Sequence, residues 1–90
     1  MSRYDWDLKK AEANLRKHGV TFEEAVEMLD GDRPVERPDL RHSFREIRIR
    51  TIGYTLAGRI IVVITSTGGP RPRIISARRA TKRERDEYVG

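Results

Sequence analysis

Between Leu8 and Leu29 the apolar positions recur at helical spacing, and from Phe44 onward they alternate or run together as in strands. Leu8, Ala11, Leu15 and His18 fall at i, i+3, i+7 and i+10, which predicts one helix with that stripe turned inward. Asp7 is placed to cap it, and Gly19 follows in the position that favours a left-handed conformation. Thr21 and Glu24 have capping-box spacing, and Phe22, Ala25, Val26 and Leu29 supply the apolar side of a second helix closed by Asp30-Gly31-Asp32. Ahead of both, residues 3–6 read as a short extended or edge segment. From residue 33 to 43 the pattern is lost. Pro34 and Pro38 exclude a helix there and leave a loop, or a short edge strand around Val35 followed by a mobile hairpin.

Residues 44–52 alternate, with Ile47 and Ile49 against Glu46, Arg48 and Arg50. Ile52 falls on the Arg48 side, so the alternation is expected to slip near Gly53. Ala57-Gly58 makes a turn, residues 59–66 are apolar on both faces and rich in β-branched side chains, and residues 67–70 (TGGP) make a second turn. In the strand over 71–79, strict alternation places Arg73, Ile75, Ala77 and Arg79 on one face and Ile74, Ser76 and Arg78 on the other. Thr81 with Glu84 is another capping box, opening a short basic helix that ends near Tyr88. The predicted fold is α+β over residues 1–90 as one domain. Two N-terminal helices pack on a three- to four-stranded antiparallel sheet, and a short C-terminal helix follows.

Charge changes this picture most. Lys and Arg total 19 against 14 Asp and Glu, and the net charge is +5. Fifteen of the cations are arginines. Residues 1–40 carry seven basic and ten acidic side chains, so the positive excess belongs to the second half. Arginine's planar fork suits phosphate and carboxylate, which points to nucleic acid or an acidic protein as partner. There is no cysteine, so neither a disulfide framework nor a thiolate metal site is available. The longest apolar run, Ile60 to Ile64, cannot cross a bilayer, and a cytoplasmic protein without membrane attachment is expected.

The candidate chemistry follows from the alternation. If Ile47 and Ile49 face the helices, Arg48 and Arg50 face away and meet one set of arginines from the last strand. Clustered guanidinium groups repel one another, and a phosphate ligand removes that penalty; a solvated face with arginine stems over apolar neighbours is the plainer alternative. His18 lies on the apolar stripe at a helix end, where a cation favours the dipole, and His42 sits in the irregular stretch. Trp6 and Tyr4 read as core, Tyr54 and Tyr88 as exposed, and Glu23, Glu24 and Glu27 as a solvated helix face. No metal-ligand spacing, phosphate loop or Ser-His-Asp arrangement is evident, and no cofactor is called for. Metal-free RNA cleavage needs no more than this inventory. The 2′-hydroxyl attacks the adjacent phosphate, and the protein holds that phosphate, offsets its charge and moves protons.

The stretches YDWDLKKAEANLRKHGVTFEEA (4–25), IRIRTIG (47–53), GRIIVVITS (58–66) and RIISARRATKRERDEY (73–88) resemble the BrnT family of type II toxin–antitoxin toxins over nearly the whole chain. The resemblance implies a fold related to the RelE-type ribonuclease toxins and an endoribonuclease that halts translation. It also implies a BrnA-type antitoxin that neutralises the toxin, with operator DNA reached only through that antitoxin. The family's basic positions match Lys17, His18, Arg48, Arg78 and Arg79. Arg48 and Arg78 are expected to stabilise the phosphate and transition state, Lys17 or His18 to transfer protons, and Tyr54 or Tyr88 to orient or stack a base. Arg50, Arg73, Arg79 and Lys82 are the expected substrate contacts. Residues 31–45 are the least family-like. The competing reading is a non-catalytic nucleic-acid or antitoxin-binding module, an inactive toxin acting as co-repressor.

Overall fold

The computed structural model describes residues 3–39 and 47–90. The elements are α1 (Leu8–His18), α2 (Phe22–Leu29), β1 (Val35–Pro38), β2 (Ile47–Tyr54), β3 (Ile60–Thr67), β4 (Arg73–Arg79) and α3 (Lys82–Val89). The hairpin expected after Val35 and the strand start at Phe44 fall on residues 40–46, outside the described residues. The four strands form one antiparallel sheet in the order β1-β2-β3-β4. Asp5 adds a single parallel bridge to Arg73 at the outer edge of β4. None of the helices among the described residues is long and apolar enough to cross a membrane.

Local chemistry accounts for the helix ends. The Asp7 carboxylate accepts from the backbone N–H groups of Lys9 and Lys10, and Gly19 ends α1 at φ 69°. Thr21 with Glu24 and Thr81 with Glu84 both close complete capping boxes. The α1–α2 layer and the sheet enclose Val20, Phe22, Ala25, Met28, Ile61, Val63, Ile74 and Ala77, with Trp6 edge-on to Phe22 at 6.0 Å between ring centres.

Three details depart from the sequence reading. First, α1 is rotated: Leu8 and Leu15 are exposed, and the turned-in face is Ala11, Asn14 and His18, with Asn14 the buried member. Second, β2 does not slip at Gly53. Pairing with β3 is continuous from Ile47 to Tyr54, and Gly53 faces the helix layer because Met28 occupies the space of its missing side chain. Third, β4 carries a bulge. Ile64 pairs with Ser76 but Thr65 with Ile74, leaving Ile75 without a partner across the ladder. The bulge brings both Ile74 and Ala77 into the core and reverses the phase of the strand's first part.

The Gly53 contact yields a quantitative expectation. A Cβ there would stand 2.9 Å from the Met28 sulfur and 3.0 Å from its Cγ, and Met28 is buried. Gly53→Ala should cost about 1–2 kcal/mol by overpacking. Met28→Ala, which removes both clashing atoms, should recover part of that cost in the double variant; urea unfolding of the four-member cycle measures the coupling.

Candidate nucleic-acid interface

Two independent registers define the sheet face away from α1 and α2. Ile61 and Val63 belong to the helix-side core, so their neighbours Ile60, Val62, Ile64 and Ser66 point the other way. Their partners on β2 are Tyr54, Ile52, Arg50 and Arg48, and on β4 Arg78, Ser76 and Arg73. β1 adds Val35 opposite Ile52 and Arg37 opposite Arg50. Five arginines, Arg37, Arg48, Arg50, Arg73 and Arg78, therefore share one face. The bulge puts Arg73 there with Arg78. The expectation that Arg73 and Arg79 share a face is corrected, since Arg79 pairs with Ile61 on the helix side.

α3 brings one carboxylate into this cationic field. Arg78 donates through Nη1 to Glu84 Oε1 at 2.7 Å and through Nη2 to Oε2 at 3.0 Å, a two-point clasp. Arg50 Nη1 donates to the same Oε2 at 3.0 Å. Glu84 Oε1 also accepts from the Thr81 backbone N–H at 2.8 Å, so the carboxylate that caps α3 also joins β2 to β4. The Glu84 side chain is 17% exposed. The hydrogen bonds from Arg78, ahead of the Thr81 contacts, hold its carboxyl down to about 2 despite partial burial, so it is ionised at any ordinary pH. The same contact raises Arg78 above its usual value.

Tyr54 and Tyr88 meet at 5.5 Å at one end of this face, and the Tyr88 hydroxyl donates to the Arg33 carbonyl at 2.7 Å. The Tyr54 hydroxyl makes no hydrogen bond among the described residues. A hollow of about 150 Å³ runs between α3 and β1–β2, lined in part by Arg37, Arg50, Glu84 and Tyr88. A larger cleft, about 720 Å³, lies beyond the tyrosines between the end of α2 and the β2–β3 turn. Glu27, Asp30 and Asp32 line it together with Arg33, and the acidic excess disfavours a phosphate there.

The family model described as "Ribonuclease toxin, BrnT, of type II toxin-antitoxin system" matches residues 6–84. The chain belongs to the BrnT family. Its structure resembles the ribonuclease toxin BrnT of Brucella abortus, solved as a crystal structure, with a TM-score of 0.65 and 25% identity over 91% of this chain and 100% of that one. No curated protein matches the chain significantly. As a BrnT ribonuclease toxin of a type II toxin–antitoxin system, it has RNA as its substrate class and an antitoxin as its partner.

Within this BrnT chain the expected site residues divide between two layers. Arg48, Arg50, Arg73, Arg78 and Tyr54 come together on the α3 side of the sheet, with Tyr88 brought to them by α3. Lys17 and His18 end α1, in the layer across the sheet, and neither side chain makes a hydrogen bond or ion pair among the described residues. Arg79 lies near Arg59 and Arg85 around a shallow hollow at the end of β4, apart from Arg78. Lys82 is exposed and paired with Asp86 along α3. Glu24 and Glu27, read as a solvated helix face, are both engaged: Glu24 binds Arg59 at 3.1 Å and Glu27 accepts from the Leu56 backbone N–H.

Two members of the face escaped the sequence reading. Arg37 sits in the stretch without periodicity. Glu84 was legible only as a helix cap. Its one available signal was a lone acid among Lys82, Arg83 and Arg85.

Proposed function

We propose that the chain is a metal-independent endoribonuclease with a RelE-like fold and that it cuts RNA on the α3 side of the sheet. The convergence of Arg50 and Arg78 on a single carboxylate carries this reading, because two forks that close on one anion from different strands match a phosphodiester in charge and spacing. Arg48 and Arg73 hold the flanking phosphates, and Arg78 with Arg50 offsets the extra negative charge that forms as the 2′-hydroxyl attacks. Positive charge that a metal would supply elsewhere is here supplied by guanidinium groups. The attack expels the 5′-oxygen and leaves a 2′,3′-cyclic phosphate, so one proton must leave the 2′-hydroxyl and one must reach the 5′-oxygen. The 2′-hydroxyl proton passes to solvent water; we assign the second transfer to the Tyr54 hydroxyl, which makes no hydrogen bond among the described residues, and base stacking to the Tyr54–Tyr88 pair. Lys17 and His18 stand across the sheet from this chemistry and take no part in it.

Cutting messenger RNA in the cytoplasm would stop translation. The neutralising partner is a BrnA-type antitoxin that lays an acidic segment over the arginines, offsetting the same repulsion that RNA does, and operator DNA is met only through it. The test is incubation of the purified chain with RNA in EDTA. Cleavage to cyclic-phosphate ends is expected, with DNA and 2′-O-methyl RNA of the same sequence left whole. Cleavage that appears only after a divalent cation is restored would overturn metal independence. Intact RNA under both conditions, with binding retained, would favour the non-catalytic co-repressor.

A further inference from the structure

The arginine site already holds an anion from its own chain. The terminal nitrogens of Arg78 form the edge that grips a phosphate at two points, and both are taken by Glu84. Arg50 gives Glu84 one of its terminal nitrogens as well. A phosphodiester therefore cannot be held by that edge of Arg78 while Glu84 stays. We propose that Glu84 is a built-in competitor for the RNA phosphate, carried into the Arg50–Arg78 fork by α3, and that RNA binding and the docking of α3's first turn are alternatives. This rests on the arginine face being the RNA site.

The attachment of α3 is suited to such an exchange. It has no buried residue, and its Val89 is exposed. Its ties to the rest of the fold include Glu84, the Tyr88 contacts with Tyr54 and Arg33, and Arg85 reaching the Ala80 carbonyl. Few buried contacts mark an element of low local stability. Leaving the fork also frees the Thr81 N–H that the Glu84 carboxylate caps, so α3's first turn loosens as Glu84 departs. It gives up the two arginines as well, which a phosphate then satisfies. The energetic contest is thus between one carboxylate held close by its chain and one phosphate arriving from solution with its neighbours. Arg48 and Arg73, on the same face but outside the Glu84 clasp, tilt it toward a polyanion over a single phosphate.

Glu84→Gln tests this in the full chain, because glutamine keeps the shape and still serves at the third position of a capping box. The probe is a short 2′-O-methyl RNA, which lacks the nucleophile, with binding read by fluorescence anisotropy across a salt series. The variant should bind about tenfold more tightly. Its salt slope should steepen by about 0.7, because the freed arginines now hold solution anions that RNA releases. A structural role alone would weaken binding and leave the slope unchanged. Equal or weaker binding by Glu84→Gln, alongside loss of binding in Arg78→Ala, overturns the competitor and leaves the arginine site standing. Binding that survives both Arg50→Ala and Arg78→Ala overturns the site itself. Hydrogen exchange on the unaltered chain gives a second reading that needs no variant. Saturating RNA should speed exchange at the Thr81 and Glu84 amides as the first turn loosens, and protection of those amides would contradict the exchange.

Discussion

Asn14→Ala should lower the stability of this chain by about 3–4 kcal/mol, near the top of what one substitution does, and drop its melting temperature by roughly 15–25 °C. Asn14 is the buried residue of α1, 7% exposed in an otherwise apolar setting. Its Nδ2 donates to the Ala77 carbonyl at 2.7 Å and the Val20 carbonyl at 2.9 Å, and its Oδ1 accepts from the Ala77 N–H at 3.1 Å. Ala77 is on β4, the last strand of the sheet, and its backbone polar groups turn outward, beyond the Asp5 bridge, where no further strand is paired among the described residues. The side-chain amide takes the place of a neighbouring peptide and seals the edge. Removing it strands an N–H and two carbonyls in the interior at about 1–3 kcal/mol for each group left unmade. Asn14→Leu separates this account from simple core filling. If leucine restored stability, the position would be apolar in character and the amide incidental; destabilisation similar to that of alanine is expected. Thermal melts and urea titrations on both variants decide it.

The same residue shows where reading the chain by hydrophobicity runs short. The helix at 8–18 and both its ends were legible because caps and glycine act locally: Asp7, Gly19 and the two capping boxes need only their near neighbours. Which face of α1 turns inward was not, because the buried, unpaired edge of β4 at Ala77 demands a hydrogen-bonding side chain and the demand lies 63 positions away. Leu8 and Leu15 lose to an asparagine for that reason. The arginine face was half legible in the same way. Arg48 and Arg50 follow from unbroken period two in β2. Arg73 was assigned to the wrong side because the bulge at Ile75 inserts one residue, and RIISARR looks equally regular with or without it. The requirement that Ile74 and Ala77 both reach the core selects the bulge, and that requirement appears only when the helix layer is in place. Glu84 was invisible as a site residue since its partners come from strands 34 and 6 positions away, joined only by the fold.

Arg78→Ala should reduce the second-order rate of RNA cleavage by about 10²–10³-fold, the loss typical of removing one donor aimed at transition-state charge. Arg79→Ala, one residue along on the other face, should change it no more than a few-fold. Adjacent arginines of equal charge make a stringent pair: net charge and long-range attraction of RNA fall alike in both, so the difference isolates where the guanidinium points. Arg78→Lys keeps the charge and loses the fork, and an intermediate loss of about tenfold is expected. Arg50→Ala should be damaging too, but the double variant Arg50→Ala/Arg78→Ala should fall little below the worse single, because the two donors close on one anion and act as a unit. Each variant also breaks a contact with Glu84, so melting temperatures must accompany the rates. The opposite pattern, with Arg79→Ala crippled and Arg78→Ala active, would move the chemistry to the helix side of the sheet. Lys17 and His18 at the end of α1 would then become its proton carriers.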